Sequence, residues 1–363
     1  MSVLPPIPVV LPDGRRYAYV LGPLAELPAR MREAGLPAGL CLLVTDAHLA
    51  PLYGEALRRG LEAAGWWPRL VTLPAGETSK SPEYLQHIYD AALEAGIDRK
   101  TPVIALGGGV VGDLAGYAAA TLLRGVPLVQ IPTTLIALVD SAIGGKTGIN
   151  HPAGKNLIGA FHQPHLVYAD LETLRTLPER EWFSGLAEVV KHALIADAAL
   201  FETLDRHWDR VLARDMVLIP GILHRAAQIK IDVVQEDERE SGRRAILNFG
   251  HTFGHAIEKV AGYGTFTHGE AVAIGMIAAL HLSRAVHPGL DIAGAERLVR
   301  RIPVSGTLSG FSRSALREAM QADKKKAGSR LRFVVLHRIG EATVAEQVTE
   351  ETIDAAWEYA SQA

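Results

Sequence analysis

A single cysteine among 363 residues removes two kinds of site at once, because an intrachain disulfide needs a second thiol and a cysteine metal site needs several. Cys41 sits in the apolar run Leu40-Cys41-Leu42-Leu43-Val44, which reads as a buried strand. A surplus of positive charge is missing too. The net charge of −3 excludes a surface built to neutralise a nucleic-acid backbone, so any cationic site must be local. No uninterrupted apolar run reaches the ~18 residues of a membrane span. The start, Met1-Ser2-Val3-Leu4-Pro5-Pro6, has neither the basic segment nor the apolar core of a secretory signal, which makes the cytoplasm the expected address. Internal repeats and low-complexity segments are absent as well.

What is present describes a globular enzyme with many tight turns: 48% hydrophobic and 21% charged residues, 35 glycines and 20 prolines. A chain this long exceeds the roughly 100–200 residues of a usual domain, so two domains are expected. In the first half, Cys41–Val44, Leu70–Leu73, Val103–Leu106 and Leu128–Ile131 read as strands, separated by helical stretches such as Tyr53–Ala64 and Tyr84–Ala95. That alternation predicts an α/β domain with a parallel sheet covered by helices. Ahead of it, Ile7–Leu11 and Arg16–Val20 flank Pro12-Asp13-Gly14, an antiparallel hairpin at one edge. After Leu177-Pro178 helical periodicity takes over, through Glu181–Ile195, Ala199–Leu212, Ile222–Gln235, Ala245–Val260 and Ala271–Val286. A late pair of apolar runs, Leu331–Leu336 and Ala342–Ala345, predicts a small β element.

The stretch Gly107-Gly108-Gly109-Val110-Val111-Gly112-Asp113 follows an expected strand and opens an expected helix. In that context G-x-G-x-x-G lets a phosphate approach the backbone N–H groups of a helix N-terminus, although the same glycines suit a plain strand-to-helix turn. The acidic ribose partner expected about 20 residues further on is missing, since Gln130 stands there. An acid does end an earlier strand, Val44-Thr45-Asp46, where it can hold a ribose or simply cap a turn. Further on, Gly144-Gly145-Lys146-Thr147 invites a Walker A reading. That reading fails, because Asp140 occupies the position of the leading glycine. Arg124, Lys146, Lys155 and Asn156 then place three cations and an amide in what read as glycine-rich loops, a set suited to a phosphate monoester or a carboxylate. For any one of these lysines a solvated loop is the plain alternative.

The run Asn248-Phe249-Gly250-His251-Thr252-Phe253-Gly254-His255 is followed by His268-Gly269-Glu270, and Glu188 lies in Leu186-Ala187-Glu188-Val189-Val190-Lys191-His192. On a helix His251 and His255 share a face one turn apart, and Gly250 and Gly254 let another element pack close. One carboxylate and two imidazoles suffice as the protein ligands of a catalytic Zn²⁺ with a position open for substrate. Spacing alone leaves open which two histidines ligate, and a surface or core pair of histidines is the bland alternative.

Gly107–Gly112 with Asp113-Leu114-Ala115-Gly116, Ile131-Pro132-Thr133-Thr134, Asp140 to Lys146, Gly154-Lys155-Asn156-Leu157-Ile158-Gly159, Glu188-Val189-Val190-Lys191-His192 and Asn248–His255 together resemble the 3-dehydroquinate synthases, in order from about Asp46 to Lys325. The resemblance implies an N-terminal Rossmann-like, NAD-binding domain over residues 1–178 and a mainly α-helical metal- and substrate-binding domain over 179–363. It implies NAD and a divalent metal, Zn²⁺ or Co²⁺, as cofactors, a sugar-phosphate substrate, and a homodimer in which Arg124 reaches the partner's active site. By this likeness Glu188, His251 and His268 are the metal ligands, which releases His255 to act on the substrate phosphate. Asp46, Glu77, Lys80, Gly108, Gly109, Asp113, Thr133, Thr134 and Thr176 match positions that hold NAD, with Lys146 and Lys155 beside nucleotide and phosphate. Arg124, Asp140, Lys146, Asn156, Lys191, Lys230, Arg244, Asn248, His255 and a lysine of Asp323-Lys324-Lys325-Lys326 match positions that contact substrate; Lys325 is favoured and Lys324 stays open.

The implied activity is that of a phosphorus–oxygen lyase, converting 3-deoxy-D-arabino-heptulosonate 7-phosphate to 3-dehydroquinate and phosphate. Hydride passes from C5 to NAD⁺, the acidified C6 proton and the C7 phosphate leave together with phosphate itself as proton acceptor, hydride returns, and ring opening with aldol closure builds the carbocycle. NAD is thus catalytic and not consumed. Two rivals share parts of this chemistry. Another sugar-phosphate cyclase, acting on sedoheptulose 7-phosphate or glucose 6-phosphate, offers no carboxylate to Arg244, Lys230 and Asn248. A metal-dependent alcohol or glycerol dehydrogenase offers no phosphate to Lys146, Lys155 and Asn156.

Overall fold

The structure, a computed structural model, describes residues 4–262, 264–308, 310–327, 332–345 and 347–362, with 322–327 as backbone only. The chain forms two compact units, Met1–Leu177 with Val234–Arg239, and Pro178–Val233 with Glu240–Ala363.

In chain order the first unit contains β1 (Ile7–Val10), β2 (Arg16–Leu21), α1 (Leu27–Glu33), β3 (Leu40–Asp46), α2 (Glu55–Ala63), β4 (Trp67–Leu73), α3 (Pro82–Glu94), β5 (Val103–Gly107), α4 (Gly109–Thr121), β6 (Leu128–Pro132), β7 (Lys146–His151), β8 (Gly154–Phe161) and β9 (Leu166–Ala169). Seven of these strands make one sheet in the order β1-β2-β9-β6-β5-β3-β4. The predicted hairpin forms, β1 running antiparallel to β2 with Ile7 opposite Tyr19, and the remaining pairings are parallel. β5 and β6 are buried along their whole length, because helices cover both faces of a parallel sheet and leave no solvent side to demand alternation. One core lies under α3 and α4, around Val44, Ile88, Leu114 and Leu128; the other lies under α1 and α2, around Met31, Leu43, Leu61 and Trp66. Each large apolar side chain buried there contributes roughly 1.5–3 kcal/mol. Cys41 sits in the second core, and burial pushes its thiol up to about 12, so it stays protonated and inert. After β4 the chain crosses back to place β5 on the other flank of β3. That reversal opens a crevice at the C-terminal ends of β3 and β5, the general ligand position of such sheets.

One expectation is corrected here. Lys146 to Gly159 is not a pair of loops but an antiparallel ribbon, β7 with β8, running from Lys146 opposite Phe161 to His151 opposite Gly154 with a register shift between Ile149 and His151. Glycines that read as breakers are instead what the ribbon needs, since a Cβ on Gly159 would fall 2.1 Å from the Thr147 carbonyl oxygen. The first unit also takes in Val234–Arg239: Gln235 accepts from Val10 N at 2.7 Å, and Glu238 pairs with Arg15 at 2.8 Å.

The second unit contains α5 (Glu179–Ala196), α6 (Ala198–Leu212), most of α7 (Ile219–Glu236), α8 (His251–Ala261), α9 (His268–Val286), α10 (Ala293–Arg300), α11 (Arg313–Ala327), the antiparallel pair β10 (Phe333–Arg338) and β11 (Glu341–Ala345), and α12 (Glu350–Ser361). α9 is long and apolar enough to cross a membrane by composition, yet it is a core helix, buried almost continuously from Gly269 to Leu280 under α5, α8, α12 and β10. The single helix predicted over Ala245–Val260 is broken. A 3₁₀ turn spans Arg243–Asn248, Gly250 takes a left-handed φ of 79°, and α8 begins only at His251. A side chain at Gly250 would be strained in that conformation and would also meet Met276 N of α9 at 2.9 Å. The close packing expected at Gly250 and Gly254 is therefore the backbone-to-backbone approach of α8 and α9. Helices α10 to α12 and strand β9 were not legible in advance, and Leu331 of the expected β run lies outside the described residues.

Candidate functional site

Three helices of the second unit bring one side chain each to a common point. Glu188 comes from the middle of α5 and is fully buried; His251 opens α8 and His268 opens α9. The Nε2 atoms of His251 and His268 lie 3.6 and 3.5 Å from Glu188 Oε1, and the donor atoms of all three residues lie within 4.8 Å of one another. Tetrahedral Zn²⁺ with bonds of about 2.0–2.2 Å separates its ligand atoms by roughly 3.4 Å, close to these spacings. The outer ring nitrogens are occupied: His251 Nδ1 lies 3.2 Å from the Phe249 carbonyl oxygen, and His268 Nδ1 lies 3.2 Å from Glu258 Oε2. Donation from Nδ1 to the Phe249 carbonyl leaves His251 Nε2 as an acceptor facing the Glu188 acceptor Oε1, which itself receives no hydrogen bond. Two buried lone pairs aimed at each other call for a cation between them, so these residues fit a divalent metal.

The three groups differ in their electrostatics. Burial, then the neighbouring Lys191, holds His251 well below the ordinary histidine range. Burial opposes ionisation of Glu188, but Lys191, His251 and His268 outweigh it and hold the carboxyl well below its ordinary value. Burial also opposes charge on His268, yet the carboxylates at both ring nitrogens prevail and push it up to about 10, so a metal ion bound here would have to displace its Nε2 proton. Lys191, one helical turn from Glu188, ion-pairs with Oε2 and so anchors the carboxylate from behind. His268 is aimed by the start of its helix. Thr267 and Glu270 form a reciprocal capping box, Glu270 Oε2 accepting from Thr267 N at 2.6 Å, and Arg180 holds Glu270 at 2.8 Å. That cap was readable as Thr-x-x-Glu.

Of the other predicted residues in this unit, His255 stands exposed one turn below His251, with ring centroids 5.4 Å apart. With Glu258 and His268 it forms a second group of potential ligands. Lys230 and Arg244 are buried cations on α7 and on the 3₁₀ turn, and Asn248, at the end of that turn, donates to Glu240 Oε1 at 2.8 Å. Lys324 and Lys325 lie on α11, and their side chains fall outside the described residues. Sequence reading missed Glu258; its position seven residues after His251, on the same face of α8, was the available signal.

In the first unit the expected nucleotide residues gather past the C-terminal ends of the strands. Asp46 ends β3, and its Oδ1 accepts from the backbone N of His48 and Leu49 at 2.9 Å each. Gly108 and Gly109 join β5 to α4, where a Cβ on Gly108 would fall 2.8 Å from Thr134 Cγ2. Thr133 and Thr134 follow β6, Thr134 Oγ1 accepting from Ala137 N at 3.2 Å. Glu77 and Lys80 follow β4. Lys80, buried, binds Asp113 Oδ2 of α4 at 2.6 Å and also contacts Asn156 Oδ1. Glu77 accepts from Asn150 at 2.8 Å, and Asn150 in turn accepts from Asn156 N at 2.9 Å. Glu77, Asn150, Asn156, Lys80 and Asp113 thus form one continuous polar chain. Burial raises the Asp113 carboxyl, with Lys80 working against it. Thr176 shares a hydrogen bond of 2.7 Å with Tyr53. Gln130, at the missing ribose position, donates to Gly112 O at 3.1 Å and secures α4 on the sheet. Asp140 lies in a π-turn spanning Ala137–Ser141, Lys146 opens β7 and Lys155 lies on β8. Arg124 is not brought to this chain of contacts. It lies beyond the other end of α4, whose last residue Thr121 is about 12 Å from Asp113 by helical rise, exposed in a turn where Leu123, Arg124 and Gly125 all take positive φ.

Residues 70–184 match the family model of the 3-dehydroquinate synthase N-terminal region, and 185–326 match that of the 3-dehydroquinate synthase C-terminal region. A 3-dehydroquinate synthase of Salinibacter ruber (strain DSM 13855 / M31) is 55% identical over 352 residues, covering 96% of this chain and 95% of that one. One from Synechococcus sp. (strain ATCC 27144 / PCC 6301 / SAUG 1402/1) is 47% identical with 96% of both chains covered. Among solved structures, the 2-epi-5-epi-valiolone synthase of Streptomyces hygroscopicus subsp. jinggangensis 5008, with NAD⁺ and Zn²⁺ bound, gives a TM-score of 0.85 at 32% identity, covering 95% of this chain and 97% of that one. Two adjoining family matches, and a relative that shares more than half its residues along almost its whole length, establish that this chain belongs to the 3-dehydroquinate synthase family.

Proposed function

We propose that the chain converts 3-deoxy-D-arabino-heptulosonate 7-phosphate to 3-dehydroquinate and phosphate, with NAD and a divalent metal as cofactors. The observation that carries this reading, in a chain of this family, is the convergence of Glu188, His251 and His268 with two imidazole Nε2 atoms facing one buried carboxylate oxygen. The first unit, Met1–Leu177 with Val234–Arg239, serves as the NAD-binding domain, and the second, Pro178–Val233 with Glu240–Ala363, binds metal and substrate. When bound, NAD supplies a hydride acceptor and donor and the metal supplies Lewis acidity at a substrate hydroxyl. Glu188, His251 and His268 hold the metal. Asp46, Glu77, Lys80, Gly108, Gly109, Asp113, Thr133, Thr134 and Thr176 hold the coenzyme, with the Lys80–Asp113–Asn156 contacts keeping its cradle rigid.

In the second unit Lys230, Arg244 and Asn248 bind the substrate carboxylate, two of them as cations and the third as an amide donor. Lys191 orients Glu188 and borders the substrate. His255, exposed beside His251, donates to the substrate phosphate as charge builds on the departing oxygen; Lys325 assists it. In the first unit Lys146, Asn156 and Lys155 serve the phosphate, and Asp140 a substrate hydroxyl. The chain acts as a homodimer in the cytoplasm. Arg124, exposed on a turn remote from its own unit's polar chain, then serves the partner's site.

Incubation with the heptulosonate phosphate, Zn²⁺ and substoichiometric NAD⁺ tests the reading. The expected result is one phosphate and one dehydroquinate per substrate without net NADH. Stoichiometric NADH without phosphate would instead identify a dehydrogenase. Turnover of sedoheptulose 7-phosphate in place of the heptulosonate would identify another cyclase. Sedimentation analysis checks the dimer.

A further inference from the structure

Glu258 is a buried carboxylate that no step above employs. It lies on α8, seven residues after His251 and three after His255, on the face these histidines share. Its Oε2 is 3.2 Å from His268 Nδ1, while the opposite nitrogen of the same ring, Nε2, is 3.5 Å from Glu188 Oε1. An imidazole in this position is gripped from both ends. Its partner His251 is gripped differently, because the acceptor at its Nδ1 is the neutral Phe249 carbonyl. A carboxylate accepts more strongly than a carbonyl, holds the proton on Nδ1, and makes the far nitrogen a better electron-pair donor.

We infer that Glu258 is a positioning residue of the metal centre: it keeps His268 protonated at Nδ1, aims Nε2 toward Glu188 Oε1, and makes His268 the stronger of the two imidazole ligands. This rests on the assignment of Glu188, His251 and His268 as ligands. The same atoms allow a different use, since His255, Glu258 and His268 also converge. An ion held there as well would need both nitrogens of His268 at once, which requires the imidazolate. A hydrogen bond requires only the ordinary neutral ring.

The test uses the full chain with Co²⁺ as probe, comparing wild type, Glu258→Gln and Glu258→Ala. Fold is checked on the metal-free proteins by circular dichroism. Affinity is read by chelator competition, ligand geometry by the visible absorption of bound Co²⁺, and the ring tautomer by ¹⁵N chemical shifts of His268. The expected result is one Co²⁺ per chain throughout, with affinity falling about 10–100-fold in Glu258→Ala, less in Glu258→Gln, and a shifted cobalt spectrum. The glutamine still accepts from Nδ1, so a graded series separates positioning from simple loss of packing. Affinity within twofold of wild type in both variants overturns the inference. So does a wild type that binds two Co²⁺ per chain and falls to one in Glu258→Ala, which would make Glu258 a ligand. If Glu188→Ala binds Co²⁺ as wild type does, the ligand assignment itself is wrong and the inference goes with it.

Discussion

The two units each bury a charged polar centre, and they satisfy it in opposite ways. In the first, Lys80 meets Asp113 at 2.6 Å and Asn156 beside it, so donors find acceptors within the protein. In the second, Lys191 satisfies one oxygen of Glu188 while the other faces the Nε2 atoms of His251 and His268. The first centre is closed and holds its surroundings in shape. The second leaves acceptors aimed at one another, at a cost that a bound cation removes. The contrast separates a centre closed by its own contacts from one that, under the proposed function, is completed by an ion.

The largest expected effect breaks the open centre. Glu188→Ala should lose stoichiometric metal and lower phosphate release on the order of 10⁴-fold, the scale of several kcal/mol of Lewis-acid stabilisation; metal analysis and turnover check it together. The closed centre should respond in stability instead. Lys80→Ala leaves Asp113, a half-buried carboxylate, without its ion-pair partner, at about 1–3 kcal/mol in urea unfolding, with the metal retained. His255→Ala sharpens the boundary of the open centre, since metal stays at one per chain while phosphate release slows about 10²-fold. Metal loss in that variant, with His268→Ala harmless, would reverse the ligand assignment.

Smaller effects test how the helices are anchored. Glu270 is pulled down to about 2: burial opposes its charge, but Arg180, Thr267 and Ser305 outweigh it. A carboxyl lowered from 4.5 stabilises the fold above that pH and loses its contribution as pH falls toward 2. Glu270→Gln should therefore cost about 1–2 kcal/mol at neutral pH, a difference from wild type that shrinks between pH 4.5 and 2 in acid unfolding curves. In the first unit, Gly60 lies exposed on α2 with nothing within 4 Å of an added Cβ. Gly60→Ala should raise stability by about 0.5–1 kcal/mol and leave turnover unchanged.

Much of the first unit was legible because its signals are local. Short apolar runs between amphipathic stretches foretold β3 to β6, and Pro12-Asp13-Gly14 foretold the edge hairpin. The ribbon of β7 and β8 was not, because facing glycines look like breakers until the opposing strand is known. In the second unit, helical period carried through the 3₁₀ turn and Gly250, whose left-handed conformation is set by contact with α9 rather than by its neighbours in sequence.

The site divides along the same line. Residue order by itself determined the family, the parallel-sheet class, and the set of chemically able side chains, because motifs and periodicity are properties of neighbours along the chain. Spacing leaves open whether His255 or His268 stands beside His251 at Glu188, and it does not single out Glu258. Those distinctions belong to the tertiary structure, since Glu188, His251 and His268 start from three different helices and meet only where α8 and α9 touch backbone to backbone. Which lone pairs face each other is settled by packing, and packing is what one-dimensional order does not contain.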